Sequence, residues 1–273
     1  GCTMLGIYGS YYSNAKEALD KINEIRKEAC NAGNVPDPRN PERMLTPSDY
    51  SPLKWSSDLE RVARIRAAEA AIAYHFMDSG HQRLNQKAIS DIVYNGHHSS
   101  SEDLSYYYNT DMIDGILSWY MEKKEWVNQD YSKTTGHYTS IINPNYTYIG
   151  LGGFYTEATP YPATLAGELS ATAEQGLDET MLSAPKDVMQ KIEVSDDFIK
   201  DNLLDGTTTI ETDQTTTLTP MVQIRRRSTR KLWMLGTFTY SSSNTAVAKV
   251  ANTGVVTGNT DGTATITVKS GNT

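Results

Sequence analysis

Cysteine is nearly absent from this chain of 273 residues, with only Cys2 and Cys30 present. Two are too few for a disulfide framework and do not supply a cysteine-based metal site. Long apolar runs are missing as well. None approaches the roughly 20 residues that a membrane helix needs, so no segment is expected to span a bilayer. There is no overall basic excess: the net charge of −8 argues against general nucleic-acid binding, because a phosphate backbone rewards a positive surface. The first residues carry neither a charged n-region nor an apolar h-region, so any signal peptide is expected to have been removed. Neither a Gly-x-Ser-x-Gly elbow nor a His-Glu-x-x-His helix occurs, which takes away two familiar hydrolase signatures.

What is present is ordinary for globular protein, 38% hydrophobic and 21% charged, and the length suits one large domain plus a small one. The charge is unevenly shared. Residues 214–273 hold seven Lys or Arg against the single acid Asp261, so that segment carries +6 and the remainder −14. The basic piece therefore reads as a separate module.

Helical spacing of Ala15, Ala18, Leu19, Ile22, Ile25 and Ala29 predicts an amphipathic helix over Asn14 to Ala29, with Gly33 beyond its end. Cys30 at that end is expected to be a small buried hydrophobe. A Pro-rich loop follows over Val35 to Pro52. Ser57 and Glu60 form a candidate capping box for a second helix, whose apolar stripe runs through Leu59, Val62, Ala63, Ala70 and Ala73. A third helix is expected from about Asp111 to Val127, with Trp119, Glu122 and Trp126 on one face.

Gly136 to Gly153 reads as a hairpin. Alternation places His137, Thr139 and Ile141 on one face of a first strand, Asn143-Pro144-Asn145 turns the chain, and Tyr146 to Tyr155 returns. On that geometry a Ser140–His137 nucleophile pair is excluded, since residues three apart on a strand point to opposite faces. Thr164 to Ser170 is a further expected strand. Residues 171–206 are weakly patterned, with a short helix expected around Asp187 to Ile192.

Three segments carry a family resemblance. Gly136-His137-Tyr138-Thr139 with Ile149-Gly150-Leu151-Gly152, Leu53-Lys54-Trp55 through Leu59, and Trp119 through Trp126 with Glu122-Lys123 are similar to the signatures of the CAP superfamily, the SCP/PR-1-like extracellular domains. The resemblance implies an α-β-α sandwich over residues 1–175, and the low cysteine content suits a bacterial member. After a connector at 176–206, residues 207–273 resemble the bacterial Ig-like group 2 domain. Thr239 through Val250, Gly254 through Gly258 and Gly262 through Val268 carry that match, with Tyr240 where the pattern has Trp. The implied fold class is α+β with a second, all-β sandwich domain.

The CAP resemblance also implies a cleft tetrad of two His and two Glu. Matching motifs assign His137, Glu122 and Glu102, the last from Ser101-Glu102-Asp103-Leu104, and His81 from His81-Gln82-Arg83-Leu84-Asn85. His98 is the runner-up for the first histidine. His75 is expected to be structural and His97 exposed. Two neutral imidazoles, His81 and His137, can ligate Zn²⁺ or another divalent cation while the carboxylates supply charge. The same four groups also suit a plain buried polar network. Ser140 in place of the family's Gln and Asp103 in place of its Asn depart from the pattern, and Asp103 adds negative charge.

The resulting expectation is a secreted or surface-attached bacterial binding protein, whose ligand (small molecule, lipid, glycan or protein) the sequence does not name. One alternative is a metal-dependent extracellular hydrolase with Glu102 or Glu122 as base. Another is cell-wall or glycan adhesion through the Ig-like module, where the basic run Ile224 to Lys231 can grip anionic polymers or simply guard a strand edge. Cys2 near the chain start fits a lipid-anchor site and equally fits an arbitrary chain start.

Overall fold

The computed structural model describes every residue except 75, 76, 78, 160, 172–176, 225–230 and 271–273. His75 and most of the basic run thus lie outside the described residues. The chain falls into two compact units, one of residues 8–192 and one joining residues 1–7 to 193–273.

The elements in order are β1 (Cys2–Tyr11), α1 (Ala15–Asn31), β2 (Pro36–Asp37), β3 (Asn40–Met44), β4 (Lys54–Trp55), α2 (Ser57–Ala73) and β5 (Ser101–Tyr107). Then come α3 (Met112–Tyr120), α4 (Lys123–Val127), α5 (Gly136–Ile142), β6 (Tyr148–Tyr155), β7 (Ala163–Ser170), β8 (Val188–Ser195) and β9 (Ile199–Asp205). The remaining strands are β10 (Thr215–Thr217), β11 (Thr219–Ile224), β12 (Lys231–Met234), β13 (Phe238–Ser242), β14 (Ala248–Val250), β15 (Val255–Gly258) and β16 (Ile266–Ser270).

Within residues 8–192 the sheet order is β5-β7-β6 followed by the end of β1, all antiparallel, with β4 parallel to β6. The sheet carries helices on both faces. On one, a Cβ on Gly150 would strike the Leu59–Glu60 backbone at 2.1 Å, and one on Gly152 would strike Ala63 at 2.6 Å. Two glycines thus let α2 lie directly on the strand. On the other face Gly167 meets the Trp119 ring, and α1, α3 and α5 close a core that includes Ile22, Ile116, Trp119, Tyr138 and Ile141. The domain is the expected α-β-α sandwich.

Four local expectations need correction. His137 does not head a strand, because Gly136–Ile142 is helix α5. Tyr138, Ile141 and Ile142 are all buried, and that i, i+3, i+4 stripe outweighs an alternation in which both faces were part apolar. The third helix is broken between Tyr120 and Lys123. Trp119 on its first half donates to the Leu104 carbonyl at 2.9 Å and Trp126 on its second to that of Pro36 at 2.8 Å, so the two halves are anchored separately. The cap of α2 is Ser56, whose Oγ accepts from Leu59 N at 3.2 Å; Glu60 instead accepts from the Trp55 indole at 2.9 Å. Val188–Ser195, including the expected short helix, is strand β8.

β1 carries no expectation from sequence. Gly9 masks it, since a Cβ there would meet Tyr155 O at 2.2 Å, and a glycine that close approach demands lowers strand propensity. Neither cysteine is in a disulfide, and Cys30 is buried as expected. Among the described residues no helix is long and apolar enough to cross a membrane.

In the second unit, Leu5 and Gly6 of β1 pair with Met234 and Trp233 of β12, and the order continues β12-β11-β9. The Ig-like strands form two further sheets, β10-β15-β14 and β13-β16, all antiparallel.

Candidate functional site

Strand β5 lies at the edge of the first sheet and alternates in the usual way. Glu102, Leu104 and Tyr106 face α2, while Asp103, Ser105 and Tyr107 face α3 and α5. The register fixes this, for Glu102 stands opposite Glu168, which stands opposite Gly150 against α2.

On the α2 side, His81 Nδ1 lies 2.8 Å from Glu102 Oε1. Arg66 grips the same carboxylate, Nε to Oε2 at 2.7 Å and a terminal nitrogen to Oε1 at 3.0 Å. The guanidinium also donates to Glu69 and, at 2.7 Å, to the Gly80 carbonyl. Arg83 completes the chain, donating to Glu69 Oε1 at 2.9 Å. Burial works against a charge on Glu102, but the bonds from His81 and Arg66 prevail and hold its pKa at about 2. Directly across the strand pair, Glu168 is fully buried, and burial plus the Glu102 charge push its carboxyl well above the usual range.

The second pair lies on the other face. His137 Nδ1 is 2.6 Å from Glu122 Oε1, and the backbone N–H of Tyr138 donates to Glu122 Oε2 at 2.9 Å. Glu122 therefore caps the first turn of α5, where Thr135 offers no side-chain bond. The imidazole lies nearly parallel to the Trp119 ring, centroids 6.4 Å apart. Burial pulls the His137 pKa down, and the hydrogen bond to Glu122 together with that carboxylate's charge more than offsets it, leaving it raised. Asp103 is itself 2% exposed, and burial drives its carboxyl well above the normal range in spite of His137. It does not simply add negative charge, because burial favours its neutral form.

The structure thus forms two His–Glu pairs, His81–Glu102 and Glu122–His137, on either side of β5, each histidine meeting its own glutamate. Asp103 feels charge from both, facing His137 and adjoining Glu102. His98 joins neither, being exposed with Nδ1 on the Ser99 carbonyl at 3.0 Å. His97 is half-buried rather than exposed, its Nδ1 lying 2.7 Å from Asp58. On helix α5, Ser140 and His137 share a face after all, so the strand argument against them does not apply; Ser140 Oγ instead lies 3.1 Å from Ser101 Oγ.

With both Nδ1 atoms engaged, the Nε2 atoms are the ligating positions left on the two rings. Among the described residues no group of three or more His, Cys, Asp or Glu side chains is gathered closely enough to hold a metal ion. A preformed zinc centre is therefore absent among them. Arg66, Glu69, Arg83 and Glu168 escaped the sequence reading. Arg66 and Glu69 fall on the same helical stripe as Leu59, Val62, Ala70 and Ala73, and charges set in an apolar stripe signal a buried ion network.

A layered α-β-α domain carrying paired His and Glu side chains around an edge strand defines the class. Comparison with known proteins agrees: residues 19–164 match the cysteine-rich secretory protein family model (CAP), and residues 200–273 match the bacterial Ig-like domain, group 2. The chain belongs to the cysteine-rich secretory protein (CAP) family. It is similar to venom allergen 5 of Microctonus hyperodae, 22% identical over 163 residues, which covers 55% of this chain and 66% of that relative, just under two thirds of its length.

Proposed function

We propose that this chain acts outside the cell as a CAP-type binding module, presenting the two imidazoles to a ligand and using its glutamates to orient them. The observation that carries this reading is the commitment of both carboxylates. Glu102 is held by Arg66 and His81 with a pKa of about 2, far from the near-neutral value that suits a general base. Glu122 is spent on His137 and on the first turn of α5. Each glutamate fixes one ring nitrogen, so Nε2 is the atom offered outward.

A divalent cation such as Zn²⁺ belongs to this reading as an exchangeable ligand of the Nε2 atoms of His81 and His137. Calorimetric titration of the full chain with zinc, beside His81→Ala and His137→Ala, tests it. Uptake lost in either variant supports the role of the imidazoles. Equal uptake in all three removes the cation and leaves the binding role to be sought in other ligands. Cell fractionation of the native host tests the extracellular placement.

A further inference from the structure

We propose that a cluster of four tyrosines at the edge of the first unit, Tyr74, Tyr106, Tyr108 and Tyr161, is a binding platform for a neutral glycan. Tyr74 follows the end of α2, Tyr106 lies in β5 with Tyr108 just beyond it, and Tyr161 sits ahead of β7. Their rings form a continuous chain. Tyr106 and Tyr74 are 4.2 Å apart at 34°, Tyr74 and Tyr161 5.5 Å at 86°, and Tyr161 and Tyr108 5.2 Å at 49°. Strand alternation separates them from Tyr107, which turns inward to pack on Tyr12.

Core packing does not account for the cluster, because Tyr74 is 43% and Tyr108 69% exposed. Single exposed aromatics are ordinary, whereas a contiguous group of them marks a contact surface. Tyrosine offers a rigid ring with a hydroxyl at its rim and loses little conformational entropy on binding. A pyranose matches both parts: its C–H face is weakly positive and stacks on the negative face of an exposed ring, and its hydroxyls meet the phenol oxygens of Tyr74 and Tyr108, whereas the buried hydroxyl of Tyr106 leaves that ring to support Tyr74 from behind.

Charge narrows the ligand. Arg66, whose charge reaches Tyr106, is already spent on Glu102, Glu69 and the Gly80 carbonyl. Residues outside the basic C-terminal segment carry −14, which disfavours a polyanion. The edge-on contact of Tyr161 with Tyr74 closes the slot between rings that a proline-rich helix would need. An uncharged polymer of flat, equatorially substituted sugars fits best.

The test uses the full chain, retained on insoluble chitin and cellulose and titrated with chitohexaose and cellohexaose. Retention on at least one polymer is expected, with affinity falling about tenfold or more in Tyr108→Ala and Tyr74→Ala, the loss expected of an aromatic anchor. Tyr108→Trp should keep binding. Tyr131→Ala removes a tyrosine that is 63% exposed but packs on Trp126 instead, and it should change nothing. Zinc uptake should be the same in Tyr108→Ala as in wild type, which separates this surface from the imidazole site. No retention on either polymer, equal binding by Tyr108→Ala, or equal loss in Tyr131→Ala would overturn the proposal, as would preferential binding of a proline-rich peptide at the cluster.

Discussion

Glu102 and Glu168 stand directly opposite one another on β5 and β7, two glutamates within one buried cross-strand pair. Like charges so placed repel. The pair persists because its members divide the work: Arg66 keeps Glu102 ionised, while burial and that neighbouring charge keep Glu168 protonated. For Glu168 the folded state therefore holds a proton that the unfolded chain releases near the ordinary value of 4.5. Its contribution to stability is complete below that value and is lost as pH rises towards the folded pKa. Glu168→Gln keeps the shape and cannot ionise. Its melting temperature should gain on the wild type steadily over the pH range above about 4.5, up to the raised folded pKa. A constant difference across that range would show that Glu168 does not titrate.

Arg66 is the cation that holds this arrangement, bonded to Glu102, Glu69 and a carbonyl while itself fully buried. Removing one member of a buried ion network leaves the others charged and unpaired, at a cost of roughly 3–5 kcal/mol. Arg66→Met should therefore be strongly destabilised in denaturant unfolding. Combined with Glu102→Gln it should recover part of the loss, because Glu102 loses its charge while Glu69 keeps Arg83 as its partner. No recovery in the double variant would assign the loss to packing.

The layers were more legible in the sequence than the site. Helices α1 and α2 follow from their apolar stripes and β6 from the Asn143-Pro144-Asn145 turn ahead of it, while β7 is legible only as a further strand, since its eight residues are all buried. Gly136–Ile142 was misread because seven residues fit both periods, and the deciding contact, Glu122 on the N–H of Tyr138, comes from outside the segment. The pairing of His81 with Glu102 and of Glu122 with His137 depends on which face of β5 each residue meets, and motif spacing does not encode that. Glu168 lies in a strand whose eight residues are all buried, where a periodic pattern gives no sign that one position is acidic for a reason.

Two glycines should respond in opposite ways to alanine. A Cβ on Gly150 would lie 2.1 Å from the Glu60 backbone nitrogen, so α2 must move away from β6; overpacking of this kind costs about 1–3 kcal/mol or more. Gly136, in the first turn of α5, has nothing within 4 Å of its Cβ direction. There Gly136→Ala removes unfolded-state freedom and should stabilise by roughly 0.4–1 kcal/mol. Denaturant midpoints of the two variants measure both signs, and a destabilised Gly136→Ala would mean that the α5 turn needs glycine for a reason beyond space.

The Glu122–His137 pair ties pH to both stability and ligand binding, and the two should move in opposite directions. Because the bond and charge of Glu122 raise the His137 pKa above 6.5 in spite of burial, the protonated ring stabilises the fold fully below that value, and the contribution is lost as pH rises through the raised pKa. Cation binding needs the same ring deprotonated. Zinc uptake should therefore be present at about pH 7.5 and gone by about pH 5.5, while the stability difference between wild type and His137→Ala should be largest at the acid end. Calorimetric titration and thermal melts of both proteins at the two pH values test this together. Zinc uptake unchanged at the lower pH would exclude His137 as a ligand, and a stability difference that grew with pH would mean that Glu122 does not hold the imidazolium.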